Sequence, residues 1–168
     1  LFAAANNGVP SLIQEQNSFP GITNKLLAKY VQKICVTYDN MEHFFPKEKL
    51  VITGNPIRED ILGFGTKVEK ARKQFNIDDS KPTILVVGGS QGARSINEAI
   101  AENIEGFKTA DVNLIWQTGI SFQDKAKEII KAVNVPGIQA YTFIKEMDLA
   151  YAAADVIVSR AGAIAISE

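Results

Sequence analysis

The sequence predicts an α/β protein built from two Rossmann-like domains with parallel sheets. Three observations carry that expectation. Short apolar strands alternate with helical repeats, the alternation breaks at a charged stretch and restarts, and two strands run directly into small-residue turns that open helices. A strand such as Thr83-Ile-Leu-Val-Val87, with no polar alternation, suits a parallel sheet covered on both faces. Hydrophobic residues make up 46% and charged residues 22% of 168 positions, which fits a globular chain with one good core or parts of two.

The elements follow in order. Leu1-Phe-Ala-Ala-Ala reads as a helix tail and lacks the charged n-region of a signal peptide. Residues 10–14 form a short strand. Asn17-Ser-Phe-Pro-Gly-Ile supplies capping chemistry, with Asn17 or Ser18 as N-cap and Pro20 in the first turn. Ile22, Leu26, Leu27 and Tyr30 then recur at helical spacing. Residues 33–38 read as a strand, 40–45 as a helical turn ended by Pro46, and 50–53 as a third strand closed by Gly54-Asn55-Pro56.

Residues 58–82 are charged, hold Gly63 and Gly65, carry a helix over 68–75 and end in a loop. They divide the chain into the end of a first domain (1–57), a linker with the first helix (58–82) and the start of a second domain (83–168). The second domain shows a strand over 84–87, one helix carrying Ile96, Ile100, Ile104 and Phe107, and a strand over 112–117. A helix with Phe122, Ala126, Ile129, Ile130 and Val133 comes next, then a strand over 138–142, a helix over 147–154 and a strand over 155–159. The chain stops at Ala161-Gly-Ala-Ile-Ala-Ile-Ser-Glu168, a helix in its first turn. A helix that short cannot bury an apolar face, so both domains are expected to be incomplete and the chain a piece of a longer protein.

Composition excludes several functions. A formal net charge of −1 offers no basic excess to neutralise nucleic-acid phosphates. The lone cysteine, Cys35, lies in the apolar run Ile34-Cys-Val and reads as a buried structural thiol. The lone histidine, His43, has no metal-ligating neighbour in sequence, so no zinc site is expected. No apolar run approaches the ~18 residues of a membrane-spanning helix. Trp116, in Leu114-Ile-Trp, is a core residue by pattern.

The turn Gly88-Gly-Ser-Gln-Gly-Ala-Arg-Ser95 is the strongest functional signal. It lets backbone N–H groups and a helix N-terminus approach an anion such as a phosphate. Ala93 and Arg94 stand where a P-loop needs glycine and lysine, and the glycine spacing is not that of the dinucleotide fingerprint. Ser90 offers both hydroxyl and N–H to a phosphate oxygen; Gly89, Gln91, Asn97 and Gln117 are further candidates, Gln91 and Asn97 being otherwise ordinary surface polar residues. A tight turn without ligand is the alternative. Gly162 and Ala163, after the strand at 155–159, have little side chain and let their backbone meet a bulky ligand. Glu168 then lies roughly 9 Å further along a helix at 1.5 Å per residue, where a carboxylate can take both ribose hydroxyls; a surface glutamate is the alternative. Arg58 presents a planar donor fork suited to a base carbonyl or a phosphate, or is a solvated linker residue.

Seven stretches in order resemble the MurG family, the bacterial N-acetylglucosaminyltransferases of peptidoglycan synthesis. They are Gln14-Glu-Gln-Asn-Ser, Gly21-Ile-Thr-Asn-Lys, Gly54-Asn-Pro-Ile-Arg, Val86-Val-Gly-Gly-Ser-Gln-Gly-Ala-Arg, Trp116-Gln-Thr-Gly, Phe143-Ile, and Arg160-Ala-Gly-Ala to Ser167-Glu168. The resemblance implies the GT-B glycosyltransferase type, two Rossmann-like domains facing a cleft. It implies inverting transfer of GlcNAc from UDP-GlcNAc to the C4 hydroxyl of a lipid-linked muramyl-pentapeptide, at the inner face of the cytoplasmic membrane. It gives the diphosphate to Ser90 and neighbouring amides, the ribose to Glu168, and the uracil to the backbone of Ile144. Arg58 would approach the base, Asn17 the GlcNAc, and the run Ala163, Ile164, Ala165, Ile166 and Ser167 the phosphates and sugar. No cofactor or bound metal is implied, because helix dipoles and N–H donors stabilise the leaving diphosphate.

Two departures stand out. The family commonly has histidine where this chain has Gln14, and glutamine cannot act as a base. The family's first glycine-rich loop lies outside these residues, so no catalytic residue is assigned and the 168-residue piece is expected to be inactive alone. A UDP-GlcNAc 2-epimerase of similar fold and a non-catalytic sugar-nucleotide-binding subunit are the rival readings.

Overall fold

The apolar runs fold into strands that pair in parallel throughout, and helices return the chain between them. The computed structural model describes residues 1–168 except for the side chain of Phe64. It contains two compact units, Leu1–Ile57 together with Gly162–Glu168, and Arg58–Ala161.

In the first unit, α1 (Phe2–Asn6) leads to β1 (Leu12–Glu15), α2 (Ile22–Leu27), β2 (Lys33–Val36) and β3 (Leu50–Ile52). The sheet order is β1-β2-β3, with Ile13 opposite Ile34 and Ile34 opposite Leu50. Burial alternates along β1 and β2. Ile13, Ile34 and Val36 therefore pack on Ala28, Val31, Met41 and Phe45 from one face. Cys35 belongs to the opposite face and is only half-buried, which corrects the fully buried thiol. A run apolar on both faces was read where the pleat places one residue in two away from the core. The expected cap of α2 also differs. Gly21 occupies the cap position and no side chain caps the helix, because Asn17 is engaged by Glu15 instead.

In the second unit, α3 (Val68–Gln74) precedes β4 (Thr83–Val87), α4 (Arg94–Glu102), α5 (Ile104–Thr109) and β5 (Asn113–Gln117). Then come α6 (Gln123–Val133), β6 (Ile138–Tyr141), α7 (Met147–Ala153) and β7 (Val156–Ser159). The single helix expected across 96–107 is two, broken at Asn103, which ends α4 and begins α5. The sheet order is β6-β5-β4-β7. Leu85 and Ile115 pack on α3 and α7 through Ala71, Phe75, Leu149 and Ala153. Val86, Leu114 and Trp116 pack on the other face against Ile100, Ile104, Ala126 and Val133. β5, central and covered twice, is buried at all five positions, whereas the edge strand β7 is exposed along its length.

The order has one functional consequence. The chain leaves β4 toward β5 on one side, while β7 lies on the other. In open parallel sheets, ligands bind beyond the carboxyl ends of the strands at such a reversal.

Candidate functional site

The turn after β4 is built by close packing. Gly92 has φ +77°, and a Cβ there would stand 2.0 Å from the Thr118 carbonyl oxygen. A Cβ on Gly88 would stand 2.3 Å from the Ala93 nitrogen. Only glycine fits at either position, so the turn lies flat against the loop after β5. The Gly92 N–H bonds the Gly89 carbonyl at 3.0 Å, which leaves Ser90 and Gln91 exposed at the tip. No side chain caps α4. Its first-turn amides lack intrahelical acceptors and face the end of β4, a ready anion site.

Two of the expected ligand residues have other work. Asn97 is buried, not at the surface: its Nδ2 donates to the Thr118 carbonyl at 2.7 Å and its Oδ1 accepts from Trp116 Nε1 at 3.0 Å. Both ends of its amide are engaged, and it positions the Gly92–Thr118 contact. Gln117 is also buried, its Nε2 donating to the Gly89 carbonyl at 3.1 Å and its Oε1 accepting from the Ile144 N–H at 2.8 Å. It ties the glycine turn to the loop after β6. Ile144, whose backbone was expected at the base, has its N–H taken by this bond, so its carbonyl is the group left to offer.

Arg58 opens the second unit, ahead of the 3-10 turn Glu59–Ile61, with its Nε 3.7 Å from Asp60. Lys67 Nζ holds that turn, donating to the Asp60 carbonyl at 2.6 Å and to Asp148 of α7 at 2.7 Å. The Lys67 bond keeps the Asp148 carboxyl below its usual range.

In the first unit the organising group is Glu15, which sequence reasoning missed. Its carboxylate is buried and accepts from the Asn17 N–H (3.0 Å), Asn17 Nδ2 (3.1 Å), the Gly21 N–H (3.0 Å) and Asn24 Nδ2 (2.9 Å). Burial raises its pKa, but the hydrogen bonds from Asn24, Asn17 and Gly21 outweigh burial and hold it below the ordinary 4.5. The signal was available: Glu15 follows Ile13 at the strand period, a carboxylate on the core face. This hub sets the 16–21 loop and with it Asn17, which is exposed. Gln14 Nε2 donates to the Gly54 carbonyl at 3.3 Å.

The helix expected at the end of the chain is α8 (Ala163–Ser167), followed by Glu168. By contacts within the chain, Gly162–Glu168 group with the first unit. The expected ligand residues are therefore divided. Arg58, Gly89, Ser90, Gln91, Asn97, Gln117 and Ile144 lie in one unit; Asn17, Ala163, Ile164, Ala165, Ile166, Ser167 and Glu168 lie in the other.

The sequence profile of the glycosyltransferase family 28 C-terminal domain matches residues 83–168. An enzyme of Parabacteroides distasonis, named UDP-N-acetylglucosamine–N-acetylmuramyl-(pentapeptide) pyrophosphoryl-undecaprenol N-acetylglucosamine transferase, is 52% identical over the whole chain, which spans 46% of that enzyme. The Flavobacterium psychrophilum protein of the same name is 48% identical, with 45% of its length covered. The crystal structure of Acinetobacter baumannii MurG matches 99% of the chain with a TM-score of 0.63 at 30% identity, the chain covering 44% of it. The chain thus spans under half the length of these relatives, and its two parallel-sheet units are of the GT-B type.

Two tests follow from the buried network. Because the Glu15 pKa is lowered in the folded state, its stabilisation is full above the ordinary carboxylate value and is lost as pH falls below 4.5 and through the folded pKa. Urea unfolding between pH 7 and pH 3 is expected to show a steeper acid loss for wild type than for Glu15→Gln. Gln117→Leu strands the buried Ile144 N–H and removes one of two bonds to the Gly89 carbonyl, which keeps the Gly92 N–H, and is expected to cost about 1–3 kcal/mol by the same measurement.

Proposed function

The chain belongs to glycosyltransferase family 28, and from that premise we propose that its polypeptide transfers GlcNAc from UDP-GlcNAc to the C4 hydroxyl of lipid-linked N-acetylmuramyl-pentapeptide. The anomeric centre inverts and UDP leaves. What carries the reading is the 52% identity, over all 168 residues, with an enzyme named for this transfer. The acceptor's lipid would hold the enzyme at the inner face of the cytoplasmic membrane, as a peripheral protein of cell-wall synthesis.

The chain's own residues supply the donor half of the chemistry. The diphosphate rests on the Ser90 hydroxyl and the uncapped first-turn amides of α4, whose fixed dipoles take up the charge that grows as the glycosidic bond breaks. No bound metal is required for that step. Because Gln117 holds the Ile144 N–H, the uracil is read through the Ile144 carbonyl, which accepts from the base N3–H. Arg58 approaches the base, Glu168 takes the ribose hydroxyls, α8 lines the phosphates and sugar, and Asn17, set by Glu15, meets the GlcNAc. No group within residues 1–168 is assigned as the base that deprotonates the acceptor hydroxyl.

The reading is tested on the full-length polypeptide with radiolabelled UDP-GlcNAc, with and without the lipid-linked muramyl-pentapeptide. Label is expected in the lipid, and only when the acceptor is present. Release of UDP with free N-acetylmannosamine, independent of acceptor, would instead make the protein a 2-epimerase; binding without turnover would make it a non-catalytic subunit. Glu168→Ala is expected to weaken UDP-GlcNAc binding by about 1.5–3 kcal/mol, the scale of a charge-assisted hydrogen bond. Unchanged affinity by calorimetry would remove the ribose assignment.

A further inference from the structure

Asn55, in the turn after β3, uses its side-chain amide in two directions at once. Its Oδ1 accepts from the Thr37 hydroxyl at 2.6 Å. Its Nδ2 lies 3.0 Å from Ser167 Oγ and 3.2 Å from the Ala163 carbonyl, with the Gln16 carbonyl further off at 3.4 Å. Ser167 completes the cluster by donating to the Ala163 carbonyl at 2.9 Å. The Ala163 and Gln16 carbonyls, which can only accept, fix which way the amide points: Nδ2 faces them, and Oδ1 then takes the Thr37 hydroxyl. Asn55 also precedes Pro56, which restricts its backbone to extended conformations and so narrows the directions its side chain can take.

Asn55 touches α8 at two points, the Ala163 carbonyl and, one turn later, Ser167 Oγ. Glu168 is the next residue, so a shift of α8 reaches its carboxylate directly.

We infer that Asn55 is a positioning residue for the sugar-nucleotide donor: it touches no substrate, and acts by fixing α8 and, through it, Glu168. The inference rests on the reading above, that α8 and Glu168 meet the donor. Asparagine is required because aspartate keeps the acceptor for Thr37 but sets an anionic oxygen against the Ala163 carbonyl, with no hydrogen to offer.

The test uses full-length protein carrying Asn55→Asp, read by amide hydrogen exchange over 163–168 and by steady-state kinetics. Exchange in that segment is expected to quicken, and the donor KM to rise about tenfold, the loss of one net hydrogen bond, while the acceptor KM stays within about twofold. Adding Ser167→Ala to Asn55→Asp is expected to cost less than Ser167→Ala costs alone, since the two share one contact. Should Asn55→Asp not fold, Thr37→Val removes the hydrogen bond on the Asn55 Oδ1 while leaving its Nδ2 contacts to α8, and is expected to move the same two readouts by a smaller factor. Unchanged exchange overturns the anchor. Quickened exchange with an unchanged donor KM, or with an equal rise in acceptor KM, overturns the positioning role. A wild-type protein that binds no UDP-GlcNAc overturns the donor reading itself, and the role of Asn55 with it.

Discussion

The two hydrogen bonds of Gln117 are the constraint on which the ligand edge of the second unit depends. Where β4 and β6 end, their loops carry backbone groups beyond the reach of the strand ladders, the Ile144 N–H among them buried away from water. Gln117 gives Nε2 to the Gly89 carbonyl and takes the Ile144 N–H on Oε1, so one side chain closes two loops and fixes their separation. Asn97 does the same between the Trp116 indole and the Thr118 carbonyl, one strand end away. A neutral amide suits this task because it carries donor and acceptor together and buries no charge.

The first unit meets the same constraint with a charge. Glu15 faces donors only, two backbone amides and two asparagine side chains, so an ionised carboxylate satisfies all of them at once. Neutral Gln at that place would turn an N–H group toward other N–H groups. The difference between the two units follows from what surrounds each side chain: mixed donors and carbonyls call for an amide, donors alone for a carboxylate. Both arrangements deliver exposed residues, Ser90 in one unit and Asn17 in the other, on loops whose bases are rigid.

Much of this was legible in the chain before any coordinates. The strands at 33–36, 50–52, 83–87 and 113–117 were each foreseen within a residue or two, because an unbroken apolar run between turn residues has few other uses. The glycines at 88, 89 and 92 marked the phosphate turn for the same local reason. What pattern could not show was exposure that depends on neighbours. β2 reads like β5 in sequence, yet β5 is buried at every position and β2 at alternate ones. Cys35 and the break at Asn103 escaped similarly, since the apolar face runs on through both.

The sequence by itself determined the fold class, the order of the elements and the small-residue turns, because these follow from steric and hydrophobic preferences that act over a few residues. Only the tertiary structure decided what each polar side chain does. Asn97 looks like a surface residue along the chain and is a buried strut, Gln117 ends a strand and ties two loops together, and Asn55 looks like a turn residue and bonds α8. Their partners lie between 18 and 112 positions away, so no local preference encodes them. A hydrogen bond is set by where two groups meet in space, and that meeting exists only once the sheets have formed.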